Sequence, residues 1–326
     1  MKIGIIGLGS IGQRHALSLH KLGVTDIHAL RTHKGSKEKD PKLNFIQEHN
    51  DPSGFFSIEF DCFIISNPSS EHYGSIIKCH ETNRKALIFV EKPMVNTFEE
   101  AQDLISMNSD RIMVGYCLRY HPIIKIVKNL LDTNRIGNVL KSHLYCGQLL
   151  TTWHPYTDYS SEYYSSQKMG GGALRTLSHE IDLMLHFFGD IAELSATIDK
   201  ISSFRIDVED NVSLLCRSKK NVLVSVELDY LDPGSERWGT IIGEKGKIRY
   251  DFGGSSVSII EADGTMTSFF DGSNDPEDMY LNQMSDLINI IDRDHPIQCN
   301  FSDGLSVMKI ISHAERSNDL RSWINL

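Results

Sequence analysis

The sequence lacks the features that mark several large classes of protein. Its six cysteines are scattered without a C-x-x-C pair, so neither a zinc ribbon nor a redox dithiol is predicted, and we expect no metal site. No apolar run approaches the roughly 20 residues that span a bilayer, and the first strand begins at residue 2 without a cleavage-site pattern. These absences predict a cytoplasmic protein with no membrane partner.

A surplus of basic charge is also absent. Acidic residues outnumber basic ones, 43 to 33, and the formal net charge is -10. This balance argues against a broad surface for nucleic acid, although it leaves room for a local basic pocket. The 326 residues, of which 40% are hydrophobic and 23% charged, instead predict an ordinary globular protein of about two domains.

A glycine-rich segment near the start of the chain is the strongest motif present. The apolar run from Lys2 to Ile6 leads into three spaced glycines, in the order strand, turn, helix. In dinucleotide-binding folds the first glycine permits the tight turn, the second lets a pyrophosphate approach the backbone, and the third lets the helix pack on the strand. Free amides at the helix start then hold the phosphates. The predicted phosphate-binding residues are Gly7, Gly9, Ser10, Ile11 and Gly12.

The periodicity of the chain changes near its middle. Through residue 119, apolar strands alternate with amphipathic helices, as in a parallel sheet covered on both faces. From residue 138, long alternating segments predict a mostly antiparallel sheet, and two helices close the chain. The predicted fold class is α/β, with a doubly wound dinucleotide-binding domain over 1–119 and a second domain over 120–326. Strands are predicted at 60–65, 86–90, 112–114, 139–149, 210–216 and 222–230, and the closing helices at about 279–291 and 305–320.

The end of the predicted second strand, 26–30, bears on the choice of cofactor. In doubly wound folds an acid at this point bonds the adenosine ribose hydroxyls, whereas an arginine accommodates a 2′-phosphate. Here the strand is followed by Arg31, Thr32, His33 and Lys34, which set a guanidinium beside a hydroxyl and an ammonium. NADP is therefore favoured over NAD. The alternative is that Arg31 begins a solvated basic loop.

A charged tripeptide, Glu91, Lys92 and Pro93, follows the strand 86–90. It lies at the edge where open parallel sheets bind their ligands. Lys92 could hydrogen-bond a substrate hydroxyl or serve as an acid or base. Taken alone, the tripeptide is also typical of a solvated surface, so its meaning depends on the motifs that accompany it.

Those motifs together resemble the glucose-fructose oxidoreductase, inositol dehydrogenase and rhizopine-catabolism (Gfo/Idh/MocA) family. The match comprises Gly7 to Gly12, then Asn67, Pro68 and His72, then Glu91 to Pro93, and finally Gly170 to Gly172 before His179 and Asp182. The resemblance implies a Rossmann domain, a second domain with an open-faced sheet for substrate and subunit contacts, and hydride exchange between NAD(P) and a sugar or polyol carbon. It further implies a homodimer or homotetramer, and cofactor contacts from Asn67, Pro68, His72, Glu91 and Lys92.

The family pattern is broken at one position. The helix after the triple glycine usually carries an aspartate before the histidine, and this sequence has Thr176 there. Threonine can hydrogen-bond a hydroxyl but cannot be an anionic partner, so the proton falls to His179, imidazole being the side chain that titrates near neutral pH. Lys92 would polarise the reacting oxygen, and Asp182 could orient the histidine ring or simply cap a local network. The implied catalytic residues are Lys92, Thr176 and His179.

Aromatic and polar residues between 153 and 164 suit a sugar. Trp153 could stack on its apolar face while polar neighbours bond its hydroxyls; a hinge or subunit-contact loop with aromatic anchors is an equal alternative. The segment also resembles a branch of the family often associated with bacterial surface polysaccharide biosynthesis, which favours a nucleotide-activated or amino sugar. Arginines could meet a carboxylate or phosphate, although Arg175 could equally face solvent, and Arg237 is a further candidate. The predicted substrate ligands are Lys92, Arg119, His154, Asp158, Arg175 and His179.

The sequence is compatible with three functions. The leading one is an NAD(P)-dependent dehydrogenase or reductase of a sugar or nucleotide sugar. A redox-neutral epimerase or lyase would use a retained cofactor to oxidise and re-reduce its substrate. A catalytically impaired, dinucleotide-binding regulatory protein is suggested only by the threonine at position 176.

Overall fold

The chain forms two compact units in a computed structural model that describes residues 1–32, 39–107, 109–153, 157–271, 275, 277–293 and 295–326. The first unit comprises Met1–Tyr120 with Pro276–Met308, and the second comprises His121–Asp275 with Lys309–Leu326. Among the described residues the helices are α1 (Ser10–Lys21), α2 (Pro52–Phe56), α3 (His72–Thr82), α4 (Phe98–Asp103), α5 (Pro122–Asp132), α6 (Leu150–Trp153), α7 (Ala173–Thr176), α8 (His179–Phe188), α9 (Glu277–Arg293) and α10 (Phe301–Leu320).

The first unit is built on a six-stranded parallel sheet in the order β3-β2-β1-β4-β5-β6. The strands are β1 (Lys2–Ile6), β2 (Asp26–Leu30), β3 (Gln47–His49), β4 (Cys62–Ile65), β5 (Leu87–Val90) and β6 (Ile112–Val114). Strand order reverses between β1 and β4, which creates a crevice at their carboxyl ends. The predicted doubly wound fold is confirmed.

The core of the first unit lies where helices cover this sheet. Ala16 and Leu19 of α1 are fully buried and pack with Ile5 of β1, as the apolar periodicity of the segment requires. Leu287 of α9 belongs to the same cluster, so a helix from the end of the chain completes it. Helix α4 begins after Thr97, whose side chain forms a capping box with Glu100.

The second unit carries a nine-stranded sheet in the order β14-β13-β12-β11-β7-β10-β9-β8-β15. The strands are β7 (Val139–Gly147), β8 (Ile191–Asp199), β9 (Asn211–Ser218), β10 (Leu223–Asp229), β11 (Arg237–Gly243), β12 (Gly246–Asp251), β13 (Ser256–Glu261), β14 (Met266–Asp271) and β15 (Ile324–Asn325). Neighbours are antiparallel except β7 and β10, which are parallel, so the prediction of a mostly antiparallel sheet is confirmed.

One face of this larger sheet is covered and the other is open. Helix α8 packs on β7 and β10, and α5 packs on β12 and β13. Alternate residues of β9 and β10 are buried on that side, while Leu215, Glu227 and Trp238 on the other side keep part of their surface exposed. Across the described part of the chain, no helix combines the length and apolar character that crossing a membrane requires.

Candidate active site

Three glycines shape the carboxyl end of β1. Gly7 has a φ of +91°, and a Cβ there would lie 2.7 Å from the backbone nitrogen of Asn67. A Cβ on Gly12 would lie 2.2 Å from the carbonyl oxygen of Gly7, so these two positions exclude a side chain. Gly9 is different, because a Cβ there would meet nothing within 4 Å. Open space therefore lies beside the backbone at Gly9, where a ligand can approach.

The start of α1 supplies donors to that space. Gly9 is its N-cap, and no described side chain caps the helix. The first amides of a helix, here those of Ser10, Ile11 and Gly12, have no intrahelical acceptor and lie at the positive end of its dipole. Open space and uncapped amides fit the pyrophosphate of a dinucleotide, at the point where the strand order reverses.

The segment after β4 is fixed by a histidine. The His72 ring is buried, with Nε2 2.9 Å from the carbonyl oxygen of Asn67 and Nδ1 2.9 Å from that of Pro93. Burial lowers the pKa of His72. The Asn67 amide donates to Ser75 Oγ at 3.0 Å. His72 thus ties the turn containing Asn67 and Pro68 to the turn containing Lys92.

Glu91 anchors the turn that carries Lys92. Its Oε1 accepts from His15 Nε2 at 2.7 Å, and both side chains are buried. Its Oε2 accepts from the backbone amide of Lys92 at 3.1 Å, and Lys92 itself is half-buried. The sequence reasoning missed His15, whose only signal was a histidine on the apolar face of α1.

The carboxyl end of β2 carries a small charged cluster. Arg31 Nη1 lies 3.7 Å from Glu48 Oε2, and Lys39 Nζ lies 2.6 Å from Glu48 Oε1. Thr32 follows Arg31 and is exposed, whereas residues 33 and 34 lie outside the described residues. The sequence reasoning missed both Lys39 and Glu48, because their proximity to Arg31 depends on the pairing of β2 with β3.

Arg119 is held inside the first unit. Its Nη1 donates to the carbonyl oxygen of Gln298 at 2.7 Å, and Nη2 lies 3.3 Å from Asp303 Oδ1. Only 4% of its side chain is exposed. The guanidinium therefore joins two segments of the chain that are far apart in sequence.

Gly172 of the triple glycine in the second unit packs against a half-buried carboxylate. A Cβ on Gly172, whose φ is +104°, would lie 2.3 Å from Glu209 Oε1. That oxygen accepts from the amide of Leu174 at 3.0 Å, in the first turn of α7. Burial raises the pKa of Glu209. The glycine is thus required by the approach of Glu209, a residue that sequence reasoning did not single out.

The predicted catalytic residues of the second unit are buried where α7 ends and α8 begins. Thr176 is the last residue of α7 and His179 the first of α8, with 4% and 8% of their surfaces exposed. Asp182, also buried, lies in the first turn of α8. The Tyr230 phenol donates to the carbonyl oxygen of Tyr164 at 3.3 Å. Burial raises the pKa of Tyr230, and the Thr176 hydroxyl beside it lowers that pKa in part.

Arg237 faces α8 from the first residue of β11. Its Nε lies 2.8 Å from Glu180 Oε1, and 2% of the Glu180 side chain is exposed. Its Nη2 donates to Cys146 Sγ at 3.1 Å, and its guanidinium lies 5.9 Å from the centre of the Phe252 ring. This buried pair fixes the residue that follows His179.

The other residues predicted to contact a substrate are bound to neighbouring groups of the protein where the structure describes them. Trp153 stacks on the buried Tyr164 ring at 4.9 Å, which favours the anchoring role for this tryptophan. Asp158 caps a short exposed turn through the amide of Ser160 at 3.0 Å, and Arg175 Nη1 lies 2.7 Å from Glu315 Oε1. His154 lies outside the described residues.

Comparison with known proteins agrees with this geometry. One family model, described as "Oxidoreductase family, NAD-binding Rossmann fold", matches residues 1–116, and a second, described as "GFO/IDH/MocA C-terminal domain", matches residues 124–249. Oxidoreductase P35 of Formosa agariphila is 23% identical over 277 residues, which cover 78% of this chain and 81% of that protein. Inositol 2-dehydrogenase 2 of Saccharopolyspora erythraea is 25% identical, with 76% and 72% covered. The structure of levoglucosan dehydrogenase in complex with NADH shares the fold, with a TM-score of 0.87 at 18% identity over 100% of this chain and 98% of that one.

Proposed function

This chain belongs to the Gfo/Idh/MocA oxidoreductase family and carries its NAD-binding Rossmann domain, and on that premise we propose that it is an NAD(P)-dependent dehydrogenase of the CH–OH group of a sugar, polyol or nucleotide sugar. The observation that carries the proposal is the open space at Gly9 beside the uncapped start of α1. Relatives named as inositol dehydrogenases favour a polyhydroxylated substrate. A role in surface polysaccharide biosynthesis would make that substrate a nucleotide-activated sugar.

The cofactor assignment favours NADP over NAD. When bound, the nicotinamide group accepts or supplies the hydride. Arg31 and Lys39 bring two positive charges to the end of β2, where both lie near the carboxylate of Glu48. These two cations suit a 2′-phosphate, which guanidinium and ammonium groups bind by charge-assisted hydrogen bonds.

We assign the chemical roles to residues of two motifs, the tripeptide at 91–93 and the segment after the triple glycine at 170–172. His179 takes the hydroxyl proton during oxidation and returns it during reduction, while the Lys92 ammonium holds the same oxygen. Asp182 orients the imidazole from the same turn of α8. Thr176 supplies a hydroxyl contact in place of the family's carboxylate, and that hydroxyl lies beside the phenol of Tyr230.

The predicted substrate ligands differ in their exposure and in the protein groups that they already contact. Asp158 has 55% of its side chain exposed, whereas Arg175 has 17% and pairs with Glu315. Arg119 would have to leave Asp303 to meet a substrate anion, and we assign it a positioning role for the first unit. His154 remains a proposed ligand on the sequence alone.

The open face of the larger sheet supports a proposed assembly. Leu215 and Trp238 lie on it among polar residues such as Glu227, each with part of its surface exposed, and the open face of an antiparallel sheet can be covered by a second subunit. We therefore propose a homodimer or homotetramer formed through the domain 120–326. Sedimentation across micromolar concentrations tests this, and a monomer throughout contradicts it.

The function is tested by a panel of free sugars, polyols, sugar phosphates and nucleotide sugars, assayed with both cofactors by nicotinamide absorbance. Turnover of at least one member, with NADPH or NADP preferred, is the expected result. Cofactor that copurifies and never exchanges during turnover would instead indicate the redox-neutral reaction. Tight cofactor binding with no turnover of any member would favour a regulatory protein.

A further inference from the structure

We propose that Glu48 is a specificity-determining residue that weakens the preference for NADP by competing with the 2′-phosphate for Arg31. This inference rests on the proposed function, because it takes the end of β2 to meet the adenosine ribose. It assigns a role to a strand that sequence reasoning did not identify.

The competition follows from how β2 and β3 pair. Ala29 is the register partner of Glu48, and the amide of Arg31 donates to the carbonyl oxygen of His49 at 2.9 Å. The backbone on either side of the two charged residues is thus fixed by the parallel ladder. Glu48 is thereby held on the strand next to Arg31, the residue that a 2′-phosphate would contact.

The two cations hold the carboxylate unequally. Lys39 Nζ lies 2.6 Å from Glu48 Oε1, within hydrogen-bond distance, whereas Arg31 Nη1 lies 3.7 Å from Oε2, a charge contact without a short hydrogen bond. Glu48 therefore lies closer to Lys39 than to Arg31. Side-chain exposures of 15% for Arg31, 25% for Glu48 and 23% for Lys39 leave these charges only partly screened.

Only the binding of NADP requires Arg31 to exchange Glu48 for a phosphate, so only NADP loses binding free energy to this contact. A 2′-phosphate must draw Arg31 from an existing anion and must also lie near the negative charge of Glu48. A ribose with two hydroxyls requires neither change. Removing the charge of Glu48 should therefore raise affinity for NADPH and leave affinity for NADH unchanged.

The experiment measures binding of NADPH, NADH, 2′,5′-ADP and 5′-AMP to the full chain by calorimetry, without substrate. Glu48→Gln, which keeps the side-chain shape, should bind NADPH and 2′,5′-ADP about tenfold more tightly, with NADH and 5′-AMP unchanged. Lys39→Gln removes the cation that lies closer to Glu48, so it should weaken the binding of NADPH and 2′,5′-ADP, the two ligands with a 2′-phosphate. Glu59→Gln, an exposed carboxylate of the same unit, is the matched control and should change nothing.

The outcomes separate this inference from the proposed function. If Arg31→Ala weakens NADPH selectively while Glu48→Gln leaves the NADPH to NADH ratio unchanged, the competition is refuted and the cofactor assignment stands. If Arg31→Ala changes neither affinity, the ribose does not meet Arg31 and both fail. In the double variant Arg31→Ala with Glu48→Gln, only the gain from relieved charge repulsion should persist, so Glu48→Gln should improve NADPH binding less than it does in the chain that keeps Arg31; an equal gain would overturn the competition for Arg31.

Discussion

The buried ion pair between Glu180 and Arg237 makes the sharpest prediction for stability. Nε and Oε1 are 2.8 Å apart, and 2% of the Glu180 side chain and 25% of the Arg237 side chain are exposed. Glu180→Gln removes the charge and leaves the guanidinium beside Cys146 and Phe252. Breaking a buried pair in this way costs roughly 3–5 kcal/mol. Because Arg237 is partly exposed, we expect the lower end, about 3 kcal/mol.

Urea unfolding followed by fluorescence and circular dichroism measures this loss for the second unit. Glu193→Gln is the matched control, since Glu193 pairs with Arg217 at 2.9 Å but with 35% and 41% of the two side chains exposed. An exposed pair of that kind contributes no more than about 1 kcal/mol. The double change Glu180→Leu with Arg237→Met should restore most of the stability. Equal losses in Glu180→Gln and Glu193→Gln would refute the reasoning.

Three further predictions follow from single contacts. Gly12→Ala, whose Cβ would lie 2.2 Å from a backbone oxygen, should weaken binding of both cofactors at least about tenfold in fluorescence titrations. Burial and nearby positive charge lower the pKa of His121 from 6.5 to about 4, so the free energy of unfolding should fall as pH drops from 6.5 to 4, where only the unfolded chain takes the proton. His121→Asn keeps an acceptor for the amide of Ile123 and should flatten that dependence. Thr176→Asp places a carboxylate beside the buried Tyr230 phenol and should lower kcat about tenfold or more.

Each of these has a contrasting result. Gly74→Ala, where a Cβ meets nothing within 4 Å, should leave cofactor affinity unchanged, and an equal effect of both glycine substitutions would contradict the packing argument. An unfolding free energy that is flat between pH 6.5 and 4 would contradict the assignment of a neutral His121. Thr176→Ser should keep most activity; a faster enzyme after Thr176→Asp would show that the pocket tolerates the family's anion.

Local patterns predicted much of the fold. The strand before Gly7 and the strands ending at Ile65 and Val90 were predicted because the periodicity of strands and helices depends on residues that are close in sequence. The helix beginning at His72 and the mostly antiparallel second sheet follow from the same signals. Only the resemblance to the family predicted that Lys92 and the residues after the triple glycine act in the same reaction. The spacing of these motifs in the sequence does not predict it.

Partners distant in sequence could not be predicted in this way. His15 and Glu91 are 76 residues apart and Arg119 and Gln298 are 179 apart, and neither pair leaves a local pattern. A charged residue in a sequence shows that a charge is present but not which group it meets. For the same reason, the pairing of Arg237 with the residue after His179 appears only in the folded chain.

The central claim is that a hydride passes between a substrate carbon and the nicotinamide ring with His179 exchanging the proton. It is tested most directly with the first panel member that turns over, prepared with deuterium on the oxidised carbon, by mass analysis of the reduced cofactor. The account predicts one deuterium on the nicotinamide in each turnover, and a rate at least about a hundredfold lower in His179→Ala with unchanged cofactor affinity. Deuterium retained in the sugar or lost to water, or full activity in His179→Ala, would contradict it.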